Sequence, residues 1–236
     1  MNDFSFYFST GWEHIITTEA LDHILFIVSL SAIYMLKDWK PVLVLITAFT
    51  IGHTITLALS SLNILQLPVA WVEFLVPCTI VVTALSNLFV KTFTLQRIRV
   101  NYFLALFFGL IHGMAFAETL RFILAKDQSF ALSMFSFSLG LELGQILVVL
   151  FVLLLAQLFI VQLGVARREW VVFLSAAAAA LALQMVAERR PWAASEGAAT
   201  LELKHPEMMV NNNLFTCSKQ AHIQANTINI FLETSI

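Results

Sequence analysis

Long apolar runs alternate with short polar segments along most of the chain, and this pattern predicts the fold class. An α-helix rises about 1.5 Å per residue, so roughly 20 apolar residues cross the hydrocarbon core of a bilayer. Six runs reach about this length, and the first is near the lower limit. We therefore predict an all-α, polytopic transmembrane helical bundle of about six spans, near residues 20–36, 42–62, 68–90, 101–124, 138–163 and 170–187.

The two ends of the chain differ in composition from the runs between them. The first twelve residues, MNDFSFYFSTGW, are rich in aromatic side chains and contain neither a basic residue nor a small-residue cleavage site. They predict a headgroup-level segment that leads into the first span, rather than a removable signal peptide. The stretch 193–236 is polar and holds no further spanning run. We predict a transmembrane domain over residues 1–192 and a flexible C-terminal extension over 193–236.

Composition supports the membrane assignment and excludes other classes of protein. Hydrophobic residues make up 59% of the chain and charged residues only 12%, whereas about one-quarter of a typical soluble domain is charged. The 13 Lys and Arg are outnumbered by 15 Asp and Glu, so no nucleic-acid partner is expected. Cys78 lies in an apolar run and Cys217 in the polar extension, so neither a disulfide framework nor a paired-cysteine metal site is predicted.

The basic residues beside the spans predict the orientation, because the side richer in Lys and Arg faces the cytoplasm. One side carries Lys37, Lys40, Lys91, Arg97, Arg99, Arg167 and Arg168, and the other carries Arg121, Lys126, Arg189 and Arg190. With an even number of spans, this places both termini outside. The predicted location is the cytoplasmic (inner) membrane, with the lipid bilayer as the surrounding partner.

Polar side chains inside or beside the apolar runs are the strongest functional signal, because an ionisable group at bilayer depth costs a few kcal/mol. They are Asp22, His23, His53, Glu73, His112, Glu142 and Gln145. In the predicted orientation the carboxylates lie toward the outer end, and His53 and His112 lie near the middle. His14, before the first span, extends the group at its entrance. The pattern predicts an acidic vestibule that leads to imidazoles.

Carboxylates with neutral imidazoles and no thiolate suit nickel, cobalt or zinc better than copper(I). Each of these side chains alone is more often structural, and only the whole set, spread over five helices, predicts a metal site. Small residues stand beside them in two pairs, Gly109 with Gly113 and Gly140 with Gly144. Such pairs let helices approach closely with their polar groups turned inward.

Asp22 and His23 are adjacent, so their side chains point about 100° apart on a helix and are poorly placed to bind one ion together. We expect His23 to be a direct ligand. Asp22 is expected to orient an imidazole from a neighbouring helix, a role that carboxylates often take beside metal-bound histidine.

Five motifs carry a family resemblance: GWEHIITTEALDHILF, FTIGHTITLAL, VEFLVPCTIVVTALSN, FFGLIHGMAFA and FSLGLELGQ. In this order and spacing, over about residues 11–192, the chain resembles the HupE/UreJ family of hydrogenase and urease accessory membrane proteins. The resemblance implies a small helical protein of the cytoplasmic membrane that transports nickel or cobalt. It implies that the metal-handling positions are His14, Asp22, His23, His53, Glu73, His112, Glu142 and Gln145.

The leading hypothesis is a permease for a divalent transition metal, nickel or cobalt, and hence a transporter rather than an enzyme. One alternative is an intramembrane zinc-dependent hydrolase, in which three histidines and Asp22 hold zinc and Glu73 or Glu142 is the general base. Another is a metal-binding accessory or sensor protein that does not transport. A hydrogenase or urease maturation system is the expected protein partner.

Overall fold

Helices account for all the regular secondary structure in the computed structural model of the protein, which describes residues 3–17, 21–89, 95–124 and 130–192. They are α1 (Asp3–Ile16), α2 (Leu21–Ser31), α3 (Trp39–Ser61), α4 (Val69–Leu88), α5 (Leu95–Leu124), α6 (Phe130–Ala156) and α7 (Arg167–Glu188). A short 3-10 helix, Leu36–Asp38, precedes α3, and a π-helical segment, Gln157–Gln162, continues α6. The all-α prediction is confirmed. The predicted extension over 193–236 lies outside the described residues.

Four helical segments in the described ranges are long and apolar enough to cross a membrane: α3, α4, α6 with its π-helical continuation, and α7. The number is five when α1 and α2, whose axes differ by 69°, are counted as one broken span. Within α5, Asn101–Ala117 is a shorter apolar helix. Helices α3 to α7 overlap the second to sixth predicted spans.

The predicted first span, 20–36, is wrong as a continuous helix. Helix α2 has 11 residues, and at about 1.5 Å per residue it covers only about half of the hydrocarbon core. The apolar run goes on past its end, but residues 32–35 form a turn in which Ala32, Ile33, Tyr34 and Met35 are all buried. These side chains are apolar because they pack inside the protein, and hydropathy does not distinguish such packing from exposure to lipid.

The predicted headgroup-level lead-in folds as helix α1, which packs along α6. A Cβ on Gly11 would meet the Phe137 carbonyl, and a Cβ on Gly140 would meet the Phe8 carbonyl, so the two backbones touch. The hydroxyl of Ser136 donates a hydrogen bond to the carbonyl oxygen of Phe4. Aromatic residues are common both at membrane interfaces and between packed helices, so composition alone did not indicate this packing.

Helices α3 and α5 form the closest pair in the bundle, and their contact positions two of the predicted site residues. A Cβ on Gly109 would meet the carbonyl of Phe49, and one on Gly113 would meet the carbonyl of His53. Glycine is therefore required at both positions for the helices to approach this closely. The close approach holds His53 and His112 at the same level of the bundle. Helix α4 packs against α7, and α2 lies against α4, α6 and α7.

Candidate metal site

Four histidines from four helices meet inside the bundle. His14 comes from α1, His23 from α2, His53 from α3 and His112 from α5. The ring centroid of His23 lies 4.8 Å from that of His14, 5.6 Å from that of His53 and 5.0 Å from that of His112. His23 is therefore central, and we refer to the four side chains as the histidine cluster.

Three members of the histidine cluster are within reach of a single ion. His14, His23 and His53 each offer a ring nitrogen, and these nitrogens all lie within 4.8 Å of one another. Two imidazoles that bind one ion at about 2.1 Å have nitrogens at most about 4.2 Å apart. The widest pair must therefore close by about half an ångström or more, a change that side-chain rotation can supply.

Six of the eight ring nitrogens in the histidine cluster are buried and make no hydrogen bond. His53 and His112 are fully buried and His23 is 4% exposed. Both nitrogens of His23 and of His53, Nε2 of His14 and Nδ1 of His112 are buried and accept or donate no hydrogen bond. A buried polar group without a partner costs about 1–3 kcal/mol. Six such nitrogens in one place are a destabilising arrangement, and a cation bound through one nitrogen of each ring would relieve part of it.

Aromatic rings enclose the histidine cluster. The ring of Phe116 lies 4.0 Å from that of His14, and Phe49 lies 6.0 Å from His53 and 5.2 Å from His112, measured between ring centroids. Phe26 stacks on Phe49 and also faces His112. These rings offer no hydrogen bonds to the imidazoles and exclude water, so the lone pairs of the imidazoles are available to a metal ion.

Asp22 lies at the edge of the histidine cluster and contacts the histidine that follows it in sequence. Its Oδ1 lies 3.5 Å from Nδ1 of His23 and accepts a hydrogen bond of 3.2 Å from the His23 backbone N–H. Its Oδ2 accepts one of 3.1 Å from Arg189, at the end of α7. The carboxylate thus faces the imidazole on its own helix, whereas we expected it to orient one on a neighbouring helix.

The geometry around Asp22 gives a prediction for Asp22→Asn. The amide keeps the shape of the carboxylate but loses the charge that faces His23 and Arg189, so the imidazole is less well oriented. We expect metal affinity to fall by roughly 10 to 100-fold, measured by titration calorimetry on the purified protein in detergent. As a matched variant, Arg189→Gln removes only the ion pair and should have a smaller effect. Equal loss of binding in Asp22→Asn and His23→Gln would show that Asp22 is itself a ligand.

Glu73 lies outside the group of metal-ligating atoms that the described residues bring together. It is exposed near the start of α4 and lines a cleft of about 530 Å³. The other walls come from the α3–α4 connection, including Asn63 and Gln66, and from Met114 on α5. Since Met114 follows His112 by two residues, this cleft lies on the α5 side of the histidine cluster.

Glu142 and Gln145 also lie outside that group, and they join α6 to α3. The hydroxyl of Thr47 donates a 2.6 Å hydrogen bond to Glu142, and that of Thr50 donates one of 3.0 Å to Gln145. Glu142 borders a cleft of about 270 Å³ between the two helices. Both side chains thus act as interhelical hydrogen-bond acceptors in this structure.

Sequence reasoning did not predict Arg189 and Thr79 as neighbours of the site, and it placed His14 at the entrance rather than inside the histidine cluster. Arg189 entered the sequence analysis only as a flanking charge, although the predicted orientation places it on the same side of the membrane as Asp22. Thr79 bonds His112 across 33 positions in sequence, and no local pattern signals such a contact.

Comparison with known proteins identifies a family. A family model described as HupE / UreJ protein matches residues 1–189, and this confirms the resemblance that the five motifs indicated. The match includes all four members of the histidine cluster, together with Asp22, Glu73, Glu142 and Gln145. No curated protein and no solved structure matches the chain.

Proposed function

Because the chain belongs to the HupE/UreJ family, whose members are nickel- and cobalt-related accessory or permease-like membrane proteins, we propose that it is a permease for a divalent transition metal. The observation that carries the proposal is the set of six buried, unpartnered ring nitrogens in the histidine cluster. Buried polar groups are nearly always paired, and an exception calls for a bound ion or a chemical role. A transported cation that binds neutral imidazole would supply both the bound ion and the chemical role.

The donor set suits a borderline divalent ion, and family membership makes nickel or cobalt the proposed transported ion. Imidazole nitrogen suits nickel, cobalt and zinc, whereas magnesium and calcium prefer oxygen ligands. Cys78 is half-buried on α4 and is not among the clustered ligand atoms of the described residues, so copper(I) has no thiolate here. We propose His14, His23, His53 and His112 as ligands in the membrane, with Asp22 orienting His23.

The carboxylates outside the histidine cluster fit a path better than a single closed site. Glu73 lines the larger cleft, and we propose that it attracts the cation before the imidazoles bind it. Glu142 and Gln145, which join α3 to α6, are proposed to hold together the helices that the ion must pass between.

Asp22 pairs with Arg189, so the start of α2 and the end of α7 lie on the same side of the membrane. We propose that this is the outer side of the cytoplasmic membrane, with both termini outside.

The test measures metal binding and flux on the same full-length protein. Purified protein is titrated with cobalt(II), and uptake of cobalt(II) and nickel(II) is then followed in liposomes with an imposed membrane potential. We expect binding at about one ion per chain and saturable flux that excess magnesium does not inhibit. Tightly held zinc without flux would favour the hydrolase or accessory alternatives, and absence of binding would overturn the proposal. A hydrogenase or urease maturation system is the proposed recipient of the ion.

A further inference from the structure

Thr79 on α4 forms a hydrogen bond with a ring nitrogen of the histidine cluster, whereas Asp22 approaches Nδ1 of His23 only to 3.5 Å. Its Oγ1 lies 3.0 Å from Nε2 of His112 and 2.7 Å from the carbonyl oxygen of Val76. Thr79 is 5% exposed and His112 is fully buried. Water therefore has little access to this hydroxyl, and its hydrogen bonds must be accounted for within the protein.

Counting protons fixes the direction of both hydrogen bonds. A hydroxyl donates one proton and accepts through its lone pairs, whereas a carbonyl oxygen only accepts. The Thr79 hydroxyl must therefore donate to Val76, because otherwise two oxygens would face each other at 2.7 Å with no proton between them. Its lone pair is left for His112, so the bond at Nε2 is donated by the imidazole.

We infer that His112 carries its proton on Nε2, that Thr79 is the positioning residue that selects this tautomer, and that Nδ1 of His112 is thereby a fourth nitrogen ligand. A neutral imidazole binds a metal through the nitrogen without the proton, while the other nitrogen commonly donates to an oxygen. Nδ1 of His112 is buried and unpartnered. The ring's aromatic neighbours are Phe26, Phe49 and His23, of which His23 alone is polar.

The assignment of Nδ1 as a ligand rests on the proposed function, whereas the tautomer does not. His112 lies outside the three histidines whose nitrogens are within 4.8 Å of one another, so its Nδ1 must move toward them on binding. With Nδ1 included, the histidine cluster offers four nitrogens, the number that a tetrahedral divalent ion binds. The opposite tautomer would place a proton on Nδ1 and block coordination by His112. Thr79 would then act on the metal through His112 without touching the metal.

The tautomer is tested on metal-free, full-length protein in detergent with ¹⁵N-labelled histidine. Ring ¹⁵N chemical shifts distinguish protonated from unprotonated nitrogens, and the His112 signals are assigned by their loss in His112→Gln. We expect a single Nε2–H tautomer in wild type, a mixture of tautomers in Thr79→Val, and the wild-type pattern in Thr79→Ser. Nδ1–H in wild type, or an unchanged tautomer in Thr79→Val, would overturn the inference.

Thr83 provides a matched control for the same experiment. It is a buried threonine one turn further along α4, and its hydroxyl donates to the backbone carbonyl of Thr79 rather than to a histidine. Thr83→Val should therefore leave the His112 signals unchanged. An equal change in both valine variants would indicate a general disturbance of α4 and would count against a specific role for Thr79.

Cobalt(II) affinity supplies the second measurement and separates this inference from the proposed function. We expect Thr79→Val to weaken binding by roughly 10 to 100-fold, with Thr79→Ser and Thr83→Val close to wild type. Wild-type affinity in Thr79→Val would overturn the role of Nδ1 as a ligand even if the tautomer is as inferred. Failure of wild type to bind cobalt, with the Nε2–H tautomer observed, would overturn the proposed function and leave the tautomer standing.

Discussion

Replacing His23 by leucine is expected to abolish metal binding without destabilising the metal-free protein. His23 is the member of the histidine cluster whose ring lies within 6 Å of all three others, so its loss removes the central ligand. Loss of a residue that only orients a metal ligand costs up to roughly 100-fold in affinity. We expect loss of His23, a direct ligand, to lower the affinity for cobalt(II) by more than this. Leucine fills a similar volume and removes two unpartnered buried nitrogens. The free energy of unfolding without metal should therefore stay unchanged or rise by about 1 kcal/mol or more.

The two measurements distinguish a metal ligand from a structural histidine. A histidine that supports the fold through hydrogen bonds would lower the unfolding free energy when replaced, and binding would then fall only because the protein is less stable. His205→Leu, in the C-terminal stretch, is the matched control and should bind metal like wild type. A large loss of stability in metal-free His23→Leu, measured by chemical denaturation in detergent, would contradict the assignment.

The parts of the fold that hydropathy predicted correctly are those in which one helix holds the whole apolar run. Helices α3, α4 and α7 begin and end within a few residues of their predicted bounds. The prediction failed for α1 and α2, where two short helices at 69° share the role assigned to one span. The polar segment TTEA separates the two helices, so α1 lies before the apolar run that predicted the first span, and hydropathy gives no sign that α1 packs inside the bundle.

The same bend explains the misplacement of His14. Counting residues from the start of a straight first span puts His14 outside the membrane. With α1 packed on α6 instead, the ring of His14 comes within 4.8 Å of the ring of His23 and 6.1 Å of the ring of His53. The position of His14 relative to the other histidines could not be predicted without the path of the backbone.

Depth in the membrane also could not show that Glu73 and Glu142 face away from the histidine cluster. Position along a span gives the level of a side chain in the membrane, but not the neighbouring helix that it faces. Glu73 and Glu142 were assigned to the same outer level as Asp22, yet the structure turns one toward a cleft beside α5 and the other toward α3. Which helices are neighbours is a long-range property, and no single motif in this chain encodes it.

The close contact between α3 and α5 is expected to be the second most sensitive feature of the site, and Gly113→Ala tests it. A Cβ on Gly113 would collide with the carbonyl oxygen of His53 and with the hydroxyl of Thr56. A backbone carbonyl has no rotamer to adopt, so the helices must move apart. Overpacking of this kind costs about 1–3 kcal/mol. We expect a matching loss of metal affinity, about tenfold to 100-fold, because His112 moves away from the other ligands.

Gly144→Ala provides the matched control for this prediction, because it is the same substitution with a different neighbour. Its Cβ would lie 3.0 Å from Cβ of Ile15 and 3.3 Å from its Cγ2, so a shift of α1 against α6 by a few tenths of an ångström relieves the contact. Cobalt(II) titration should therefore show only a small loss in Gly144→Ala and a large one in Gly113→Ala. Wild-type affinity in a folded Gly113→Ala protein would mean that the metal does not depend on the approach of α5 to α3, and it would remove His112 from the ligand set.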